Sequence, residues 1–318
     1  MNFQQLRSVR ETVRQGFNLT LVAEALSTSQ PGVSRQVKEL EDELGIELFV
    51  RSGRRFLGLT PAGSSVMPTI ERLLQEAANL KRASEDFSSS DSGLLTVAAT
   101  HTQARYALPP AVRDFRSSHP GVSFHLQQGS PRQIAQLVVS GSVDLGIATE
   151  ALTDFPELVA LPCYRWTHVV VVPRGHVLAD EAAAGEPLTL QRLAQFPLIT
   201  YEKGYTGRGH IDEAFARHGL HAEIILQAMD ADVIKTYVER GVGVGVVASV
   251  AFDESRDHQL VALDARHLFA INTTRVAVKR GAFLRGYVFD FIHTFASTLT
   301  RSVVERALES APGSAIEL

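Results

Sequence analysis

Val66, Ile70, Leu73, Ala77, Leu80, Ser84 and Phe87 follow one another at steps of four, three, four, three, four and three. Such a heptad seam requires a long helix with a stripe to cover, either against another helix or against its own domain. Pro68 lies near its start, where a proline can shift or kink the first turns. The seam runs out in the serine-rich string "SSSDSG", which reads as a linker and sets a domain boundary near residue 92. The chain therefore divides into a head at 1–59, a linker helix and hinge at 60–92, and a larger domain at 93–318.

The head reads as short helices. Phe3, Leu6, Val9 and Val13 recur at helical spacing before Gly16, and Thr20 is a candidate cap for a second helix with Ala23 and Leu26 inward. "STSQPG" is a turn, with Pro31 near a first helical position. Val33, Val37, Leu40 and Leu44 then repeat until Gly45 ends the helix. Two helices about a tight turn, with Ser29, Gln30, Ser34, Arg35 and Lys38 outward, predict a helix-turn-helix. "LFVRSGRRFLGL" alternates about a Ser-Gly turn, like a small wing.

Beyond residue 92 the pattern changes to alternating strands and helices. "LLTVAA", "VSFHLQQ", "VDLGIAT", "THVVVVP", "PLITY", "AEIILQA" and "GVGVVAS" read as strands. Helices are expected at 105–117, 131–140, 208–217 and 230–240, giving an α/β domain with mainly parallel sheets. "TTRVAVKR" and the helix "YVFDFIHTFASTLT" come late, so the chain is expected to cross to a second lobe and return. This sets lobe I at about 93–162 and 268–300, and lobe II at about 163–267.

A net charge of −4 does not point to a generally basic, nucleic-acid-coating protein. Distribution matters more than the sum. Arg35, Lys38, Arg51, Arg54 and Arg55 gather in the head, apart from Glu39, Glu41, Asp42 and Glu43, which allows one local basic face. The start of the chain lacks a secretory h-region, no run of eighteen apolar residues occurs, and the single cysteine, Cys163, excludes an intrachain disulfide. The expectation is a cytoplasmic protein with no membrane segment.

The junction "TVAATHTQARYALP" ends a strand and begins a helix with Thr100, Thr102 and Gln103 at the turn. A helix start offers unpaired N–H groups and partial positive charge, a ready anion site. Hydroxyl and amide donors without a lysine suit sulfate or the carboxylate of a small amino-acid derivative. Threonines also cap helices routinely, and the residues alone favour capping slightly. Thr149, at the end of "VDLGIAT", offers another hydroxyl at a strand terminus, where ligands collect in parallel sheets.

Residues 1–65, with "TSQPGVSRQVKELEDELGIELFVRS" and "LTPAG", resemble the winged helix-turn-helix of the LysR-type transcriptional regulators. Through most of the remaining chain, "THTQARYALP", "QGSP", "IATEAL", "LPCYRW", "TGR" and "DADVIKTYVERGVGVGVVAS" resemble the cysteine-biosynthesis regulator subgroup. The resemblance implies a periplasmic-binding-protein-like effector domain of two lobes and no enzymatic activity. It implies DNA contacts from Thr20, Ser29, Gln30, Pro31, Ser34, Arg35 and Lys38, with Arg51, Arg54 and Arg55 holding phosphates from the wing. Each of those wing arginines also reads as a solvated turn residue. It reverses the balance at the junction, making Thr100, Thr102, Gln103, Thr149 and Thr206 an effector site, with Trp166 as its wall or as a core aromatic.

The implied effectors are O-acetylserine, N-acetylserine, sulfate, thiosulfate or adenosine 5′-phosphosulfate, and no cofactor or metal. The implied partners are double-stranded promoter DNA and further copies in a homotetramer built as a dimer of dimers, with RNA polymerase a candidate. Control of cysteine-biosynthesis genes is the leading role; control of sulfonate or sulfate-ester utilisation is the alternative. Glu202 and Lys203 depart from the subgroup pattern just before "TGR" and leave the ligand preference open.

Other chemistries are poorly supported. "GVGVGVVAS" lacks the third glycine of a dinucleotide fingerprint and follows a helix, so close packing explains its glycines. His218 and His221 have no H-E-x-x-H or cysteine context, and no G-x-S-x-G or P-loop occurs. A solute-binding transport component would need export, and an enzyme with a fused head would need a nucleophile–base pair.

Overall fold

Side-chain caps set the helix limits in the head. Asn2 starts α1 (Phe3–Arg14), accepting from the Gln5 N–H at 3.0 Å. Asn18 starts α2 (Leu19–Ala25), taking the N–H groups of Thr20 and Leu21. Thr20 therefore does not cap this helix; the extended backbone at Asn18 puts the shorter reach to those N–H groups there. Ser29 starts α3 (Gln30–Leu44) through the Gly32 N–H at 3.2 Å, and Gly45 ends it in the left-handed region. The hairpin of β1 (Phe49–Ser52) and β2 (Arg55–Leu59) closes the core, stacking Phe49 on Phe56 beside Leu6, Val9, Val33, Val37 and Leu40. Phe3 and Leu44, expected inward, are exposed at the outer ends of their helices.

Helix α4 (Pro61–Ser88) starts tight against the hairpin: a Cβ on Gly63 would lie 2.1 Å from the Leu48 carbonyl oxygen. It carries two stripes. Met67, Ile70 and Leu74 are buried in the head's own core, whereas Leu73 and Leu80 of the seam are 41% and 74% exposed. Pro68 is accommodated without ending the helix. The structure, a computed structural model, describes residues 1–53, 55–88 and 92–310, and divides the chain into units Met1–Glu85 and Asp86–Leu318. The first unit thus takes in most of α4. Arg54, the linker core at 89–91 and the side chain of Phe87 lie outside the described residues.

The second unit holds two five-stranded sheets. Strand β3 (Gly93–Ala99) leads through α5 (Leu108–Ser118) to β4 (Val122–Gln128), then through α6 (Pro131–Ser140) to β5 (Leu145–Ala148). Strand β6 (Leu158–Trp166) crosses to β7 (His168–Pro173), followed by α7 (Val177–Ala183) and α8 (Leu190–Leu193). The second lobe continues with β8 (Leu198–Tyr201), α9 (Arg208–Arg217), β9 (Ile224–Ala228), α10 (Ala231–Glu239), β10 (Val244–Ala248) and β11 (Leu260–Asp264). The chain returns through β12 (Asn272–Lys279) and ends in α11 (Gly286–Phe295) and α12 (Arg301–Glu309).

Strand orders are β4-β3-β5-β12-β6 and β11-β7-β10-β8-β9. In each sheet four strands run in one direction and a single crossover strand, β12 in the first and β7 in the second, runs against them, so the sheets are mixed. Strand β3 sends its chain to β4 on one side and, one crossover later, to β5 on the other; β8 does the same with β9 and β10. Each lobe therefore has a topological switch point at its strands' carboxyl ends, where ligands gather. The lobes part between Trp166 and His168, a few residues after the expected 162/163, and again between Asp264 and Asn272, a stretch that contains the expected 267/268. Val304 and Ala307 of α12 join the first lobe's core, extending that lobe past residue 300.

A π-helical turn at Gln103–Ala107 precedes α5, with the Leu108 N–H reaching the Gln103 carbonyl. Pro109 and Pro110 explain it. They have no N–H to return to the carbonyls of Arg105 and Tyr106, so an ordinary α-turn there would lose two bonds.

Candidate DNA interface and effector site

On the head, Gln30, Pro31, Ser34, Arg35, Lys38 and Arg51 line one open hollow of about 590 Å³ between α3 and the hairpin. Gln30 donates to the Thr20 hydroxyl. The Arg35 side chain is 81% exposed and pairs with Glu39 at 2.7 Å. So exposed a pair holds the guanidinium weakly and leaves it available. Lys38 is exposed and has no ion-pair partner among the described residues. Arg51 differs. It bonds Glu41, a buried carboxylate that also takes the Leu48 and Phe49 N–H groups, and it lies over the Phe56 ring at 4.7 Å. That ties the hairpin to α3, so Arg51 is already engaged as an internal fastener. Ser29 is occupied as the α3 cap, and Arg55 is exposed on β2.

In the second unit, Thr100 follows β3 and its carbonyl accepts from the Ala104 N–H at 2.9 Å, which starts the helical turn. The N–H groups just after such a start have no intrahelical acceptor. Thr102 is 1% exposed, and its hydroxyl has no hydrogen-bond partner. The Tyr201 hydroxyl lies near enough to interact with the Thr102 side chain, which offsets part of its pKa rise, and it accepts from the Ala248 N–H at 3.1 Å, joining the ends of β8 and β10. Burial raises the Tyr201 pKa, so it stays a neutral phenol.

Gln103 is fully buried and engaged. Its amide donates to the Thr274 hydroxyl at 3.1 Å and accepts from the Tyr164 hydroxyl. The Trp166 indole N–H also donates to Thr274 at 3.1 Å. Trp166 is thus pinned within a packed cluster that includes Val171, Ile199 and Tyr201. Gln103 and Trp166 hold the threonine loop in place.

The "TGR" loop faces the first lobe. Thr206 and Gly207 take φ of 42° and 70°, and the Gly207 N–H donates to Glu150, the residue after Thr149. A Cβ on Gly207 would meet Asn272 Oδ1 at 2.3 Å and His168 Cε1 at 2.7 Å, so only glycine fits. His168 is fully buried between the Trp166 and Phe269 rings and donates from Nε2 to the Thr206 carbonyl at 3.0 Å. Burial pushes its pKa down to about 4, and desolvation raises that of Glu150. Thr149 and Glu150 line a hollow of about 340 Å³ with Gly207, His210, Asn272 and Arg275. Glu202 and Lys203 are exposed, directed to solvent.

Across the cleft, the Tyr106 hydroxyl donates to Asp232 Oδ1 at 2.7 Å, and Arg105 pairs with the same carboxylate. Glu150, His168, Asn272, Arg105, Tyr106 and Asp232 were not anticipated. Their long-range bonds reach from 38 residues of chain for His168 to 126 for Tyr106, and only the adjacency of Glu150 to Thr149 was a sequence signal. Burial pushes the Cys163 thiol pKa up to about 12, which disfavours the reactive thiolate. Among the described residues, the one group of metal-ligand type is His101, Asp230 and Asp232. Asp230 caps α10 and Asp232 carries Tyr106 and Arg105, so both carboxylates are committed. The tight glycines of "GVGVGV" serve packing: a Cβ on Gly245 would lie 2.5 Å from Val171 Cγ2.

A helix-turn-helix head with exposed basic and amide side chains, joined to a two-lobed domain with a polar, threonine-lined cleft, defines a ligand-controlled DNA-binding protein. Residues 3–64 match the "Bacterial regulatory helix-turn-helix protein, lysR family", and residues 88–300 match the "LysR substrate binding domain". The chain belongs to the LysR family of transcriptional regulators, proteins that bind DNA and small effectors and form oligomers. It is 54% identical over 311 residues to the HTH-type transcriptional regulator SsuR of Burkholderia cenocepacia, covering 98% of this chain and 100% of that one. It is 51% identical over 309 residues to the HTH-type transcriptional regulator CysB of the same organism, covering 97% of each. The solved cofactor-binding domain of the Cbl transcriptional regulator is 47% identical, with a TM-score of 0.66, covering 69% of this chain and 95% of that one.

Proposed function

We propose that this LysR-family regulator controls genes of sulfur assimilation and cysteine biosynthesis, and that an acetylserine-type effector sets its state from the cleft between the lobes. The observation that carries the effector reading is the Thr102 hydroxyl, buried and unpartnered where a strand hands over to a helix at a switch point. A helix-capping threonine would have spent that hydroxyl. Thr100, Thr149 and Thr206 complete the donor set, and Gln103 and Trp166 position it. The sulfur pathway rests on the subgroup strings and on the likeness to SsuR and CysB along nearly the whole chain.

Arg35, Lys38, Gln30 and Ser34 meet promoter DNA in the major groove, with Thr20, Ser29 and Pro31 setting the pose of α3 and with Arg55 and Arg54 near phosphates. The bare Leu73 and Leu80 stripe pairs subunits on the way to a tetramer of two dimers, with RNA polymerase as a further partner in a cytoplasmic setting. Effector can shift the DNA-bound arrangement only as far as it prefers one arrangement over another. A second reading, sulfonate or sulfate-ester utilisation under sulfate, thiosulfate or adenosine 5′-phosphosulfate, is favoured by the neutral threonine donors. The Glu150 carboxylate beside Thr149 opposes a bare dianion there.

Two measurements test this. Gel shifts on promoters upstream of cysteine-biosynthesis and sulfonate-utilisation genes should give a retarded band whose pattern changes with effector. No band on any of them sinks the gene assignment. Thermal melting with each effector should show about 2.7 kcal/mol of stabilisation at a hundred times its Kd. No shift with any effector removes the ligand assignment and leaves DNA binding standing.

A further inference from the structure

The reading face of the head carries one bond that neither a cap nor the core requires. Gln30 is the first residue of α3, and its Nε2 donates to the hydroxyl of Thr20 in the first turn of α2. Both residues are exposed, so water could serve each of them. The Thr20 hydroxyl is spared for this bond because Asn18 caps α2, taking the Thr20 N–H at 3.0 Å. Ser29 caps α3, so the pair joins two helix starts whose positions are already fixed. Gln30 makes no other side-chain hydrogen bond among the described residues, which leaves Oε1 and the second Nε2 hydrogen for a partner outside the chain.

A glutamine amide is asymmetric, and turning it over exchanges acceptor for donor. Holding Nε2 on Thr20 presents Oε1 and one N–H side by side. In the major groove that pair matches adenine, which offers its N6 amine and N7. It mismatches guanine, whose O6 and N7 both accept. A hydroxyl can also donate to an amide turned the other way, so its own direction has to be fixed. A phosphate oxygen fixes it, because it only accepts, and a proton given to an anion makes a stronger bond than one given to a neutral amide. With its proton on phosphate, the Thr20 oxygen can only accept from Gln30.

We infer that Thr20 is a positioning residue for base recognition: its hydroxyl donates to a backbone phosphate and accepts from Gln30 Nε2, which turns the Gln30 amide to prefer adenine over guanine at one operator position. A phosphate contact, which carries no sequence information by itself, thus sets the choice that its neighbour makes. The inference rests on the proposed groove contact of Gln30 and names the base that it reads.

The test lets the full chain select from a library of DNA duplexes with a randomised central segment. Gel-shift titrations of the selected duplex and its single-base changes follow, all at one salt concentration. Wild type should favour adenine over guanine at one position that Gln30→Ala levels. Thr20→Val, isosteric but without the hydroxyl, should lower the adenine-to-guanine ratio there by about tenfold and keep ratios elsewhere within about twofold. Thr20→Ser should keep the wild-type ratio, and Thr20→Ala is the reporter if the valine disturbs α2. On the Gln30→Ala background, Thr20→Val should weaken every duplex alike, as loss of a phosphate contact does. An unchanged ratio in Thr20→Val, or equal weakening of all duplexes in the otherwise native chain, overturns the inference. So does a Gln30-dependent position that prefers any base other than adenine, or no Gln30-dependent position. In each of these cases a selected duplex leaves the DNA-binding reading standing. If no duplex is selected, the inference falls together with DNA recognition by this head.

Discussion

The recognition face of the head and the cleft of the second domain use similar residue types in opposite settings. Gln30, Arg35 and Lys38 stand in solvent, and their contacts are short in sequence: Gln30 to Thr20, Arg35 to Glu39. Thr102, Gln103 and Thr206 are buried, and the Gln103 amide finds its acceptor 171 residues away in Thr274. The contrast follows from what each surface meets. A charge that will face a phosphate can stay hydrated until DNA arrives, and counterion release then supplies much of the affinity. A cleft that closes on a small ligand must be dry beforehand, where free charges are costly, so it uses neutral donors held by remote strands. Glu150 departs from that pattern, a carboxyl whose pKa desolvation raises and whose Oε1 takes the Gly207 N–H.

Gly207→Ala should give the largest effect. Its Cβ has no room and the backbone is left-handed, so urea unfolding should show about 3 kcal/mol or more lost from the second domain. Gly45→Ala in the head, with open space around it and the same backbone region, should cost only about 1 kcal/mol. Equal costs would remove the distinction between a packed cleft and an open head.

Acid should act on the cleft nearly as strongly. The folded pKa of His168 lies below its unfolded value, so its contribution is complete above about pH 6.5 and is lost as pH falls toward about 4. The loss integrates to about 3 kcal/mol. Glu150 has the opposite sign, its raised pKa adding stability at low pH that fades as pH rises, so urea melts are best compared in Glu150→Gln with and without His168→Gln. A pH dependence unchanged by His168→Gln would contradict a buried neutral imidazole.

Arg35→Ala should weaken specific DNA binding by about 1–3 kcal/mol in gel-shift titrations and leave effector binding unchanged. Lys38→Ala should reduce the salt slope of binding by about 1 if it meets a phosphate. Arg51→Ala sharpens the comparison within the head. It leaves buried Glu41 unpaired, so a loss of stability of about 1–3 kcal/mol should exceed any change in DNA preference. Thr102→Val should have the smallest effect on folding: removing an orphaned hydroxyl should stabilise the ligand-free domain by up to about 1 kcal/mol while effector binding is lost. Destabilisation with effector affinity intact would reassign Thr102 to the scaffold.

Much was legible in local pattern. The apolar repeat of α3, its Ser29 and Gly45 limits, and the strand-to-helix junction at Thr100 all follow from spacing and caps set within a few residues. Strand β6 was missed because Pro162 interrupts "LVALPCYRW". It is accommodated at the sheet's edge, where the pairing shifts register and Cys163 stands unpaired in the ladder. The expected single helix "YVFDFIHTFASTLT" stops at Phe295, where Ala296 turns extended, and a second helix follows from Arg301. The seam read correctly as a long helix, yet which of its faces the head already covers depended on Met67 and Leu74, one position away from the heptad.

By itself the sequence determined the modules, the recognition helix and the threonine-rich junction, because caps, periodicity and turn residues act over one or two turns of chain. Only the tertiary structure decided that Arg51 is a fastener, that Gln103 and Trp166 both anchor on Thr274, and that Glu150 meets the Gly207 N–H. Those roles depend on desolvation and on partners brought together by strand order, and neither is encoded in the spacing of neighbouring residues.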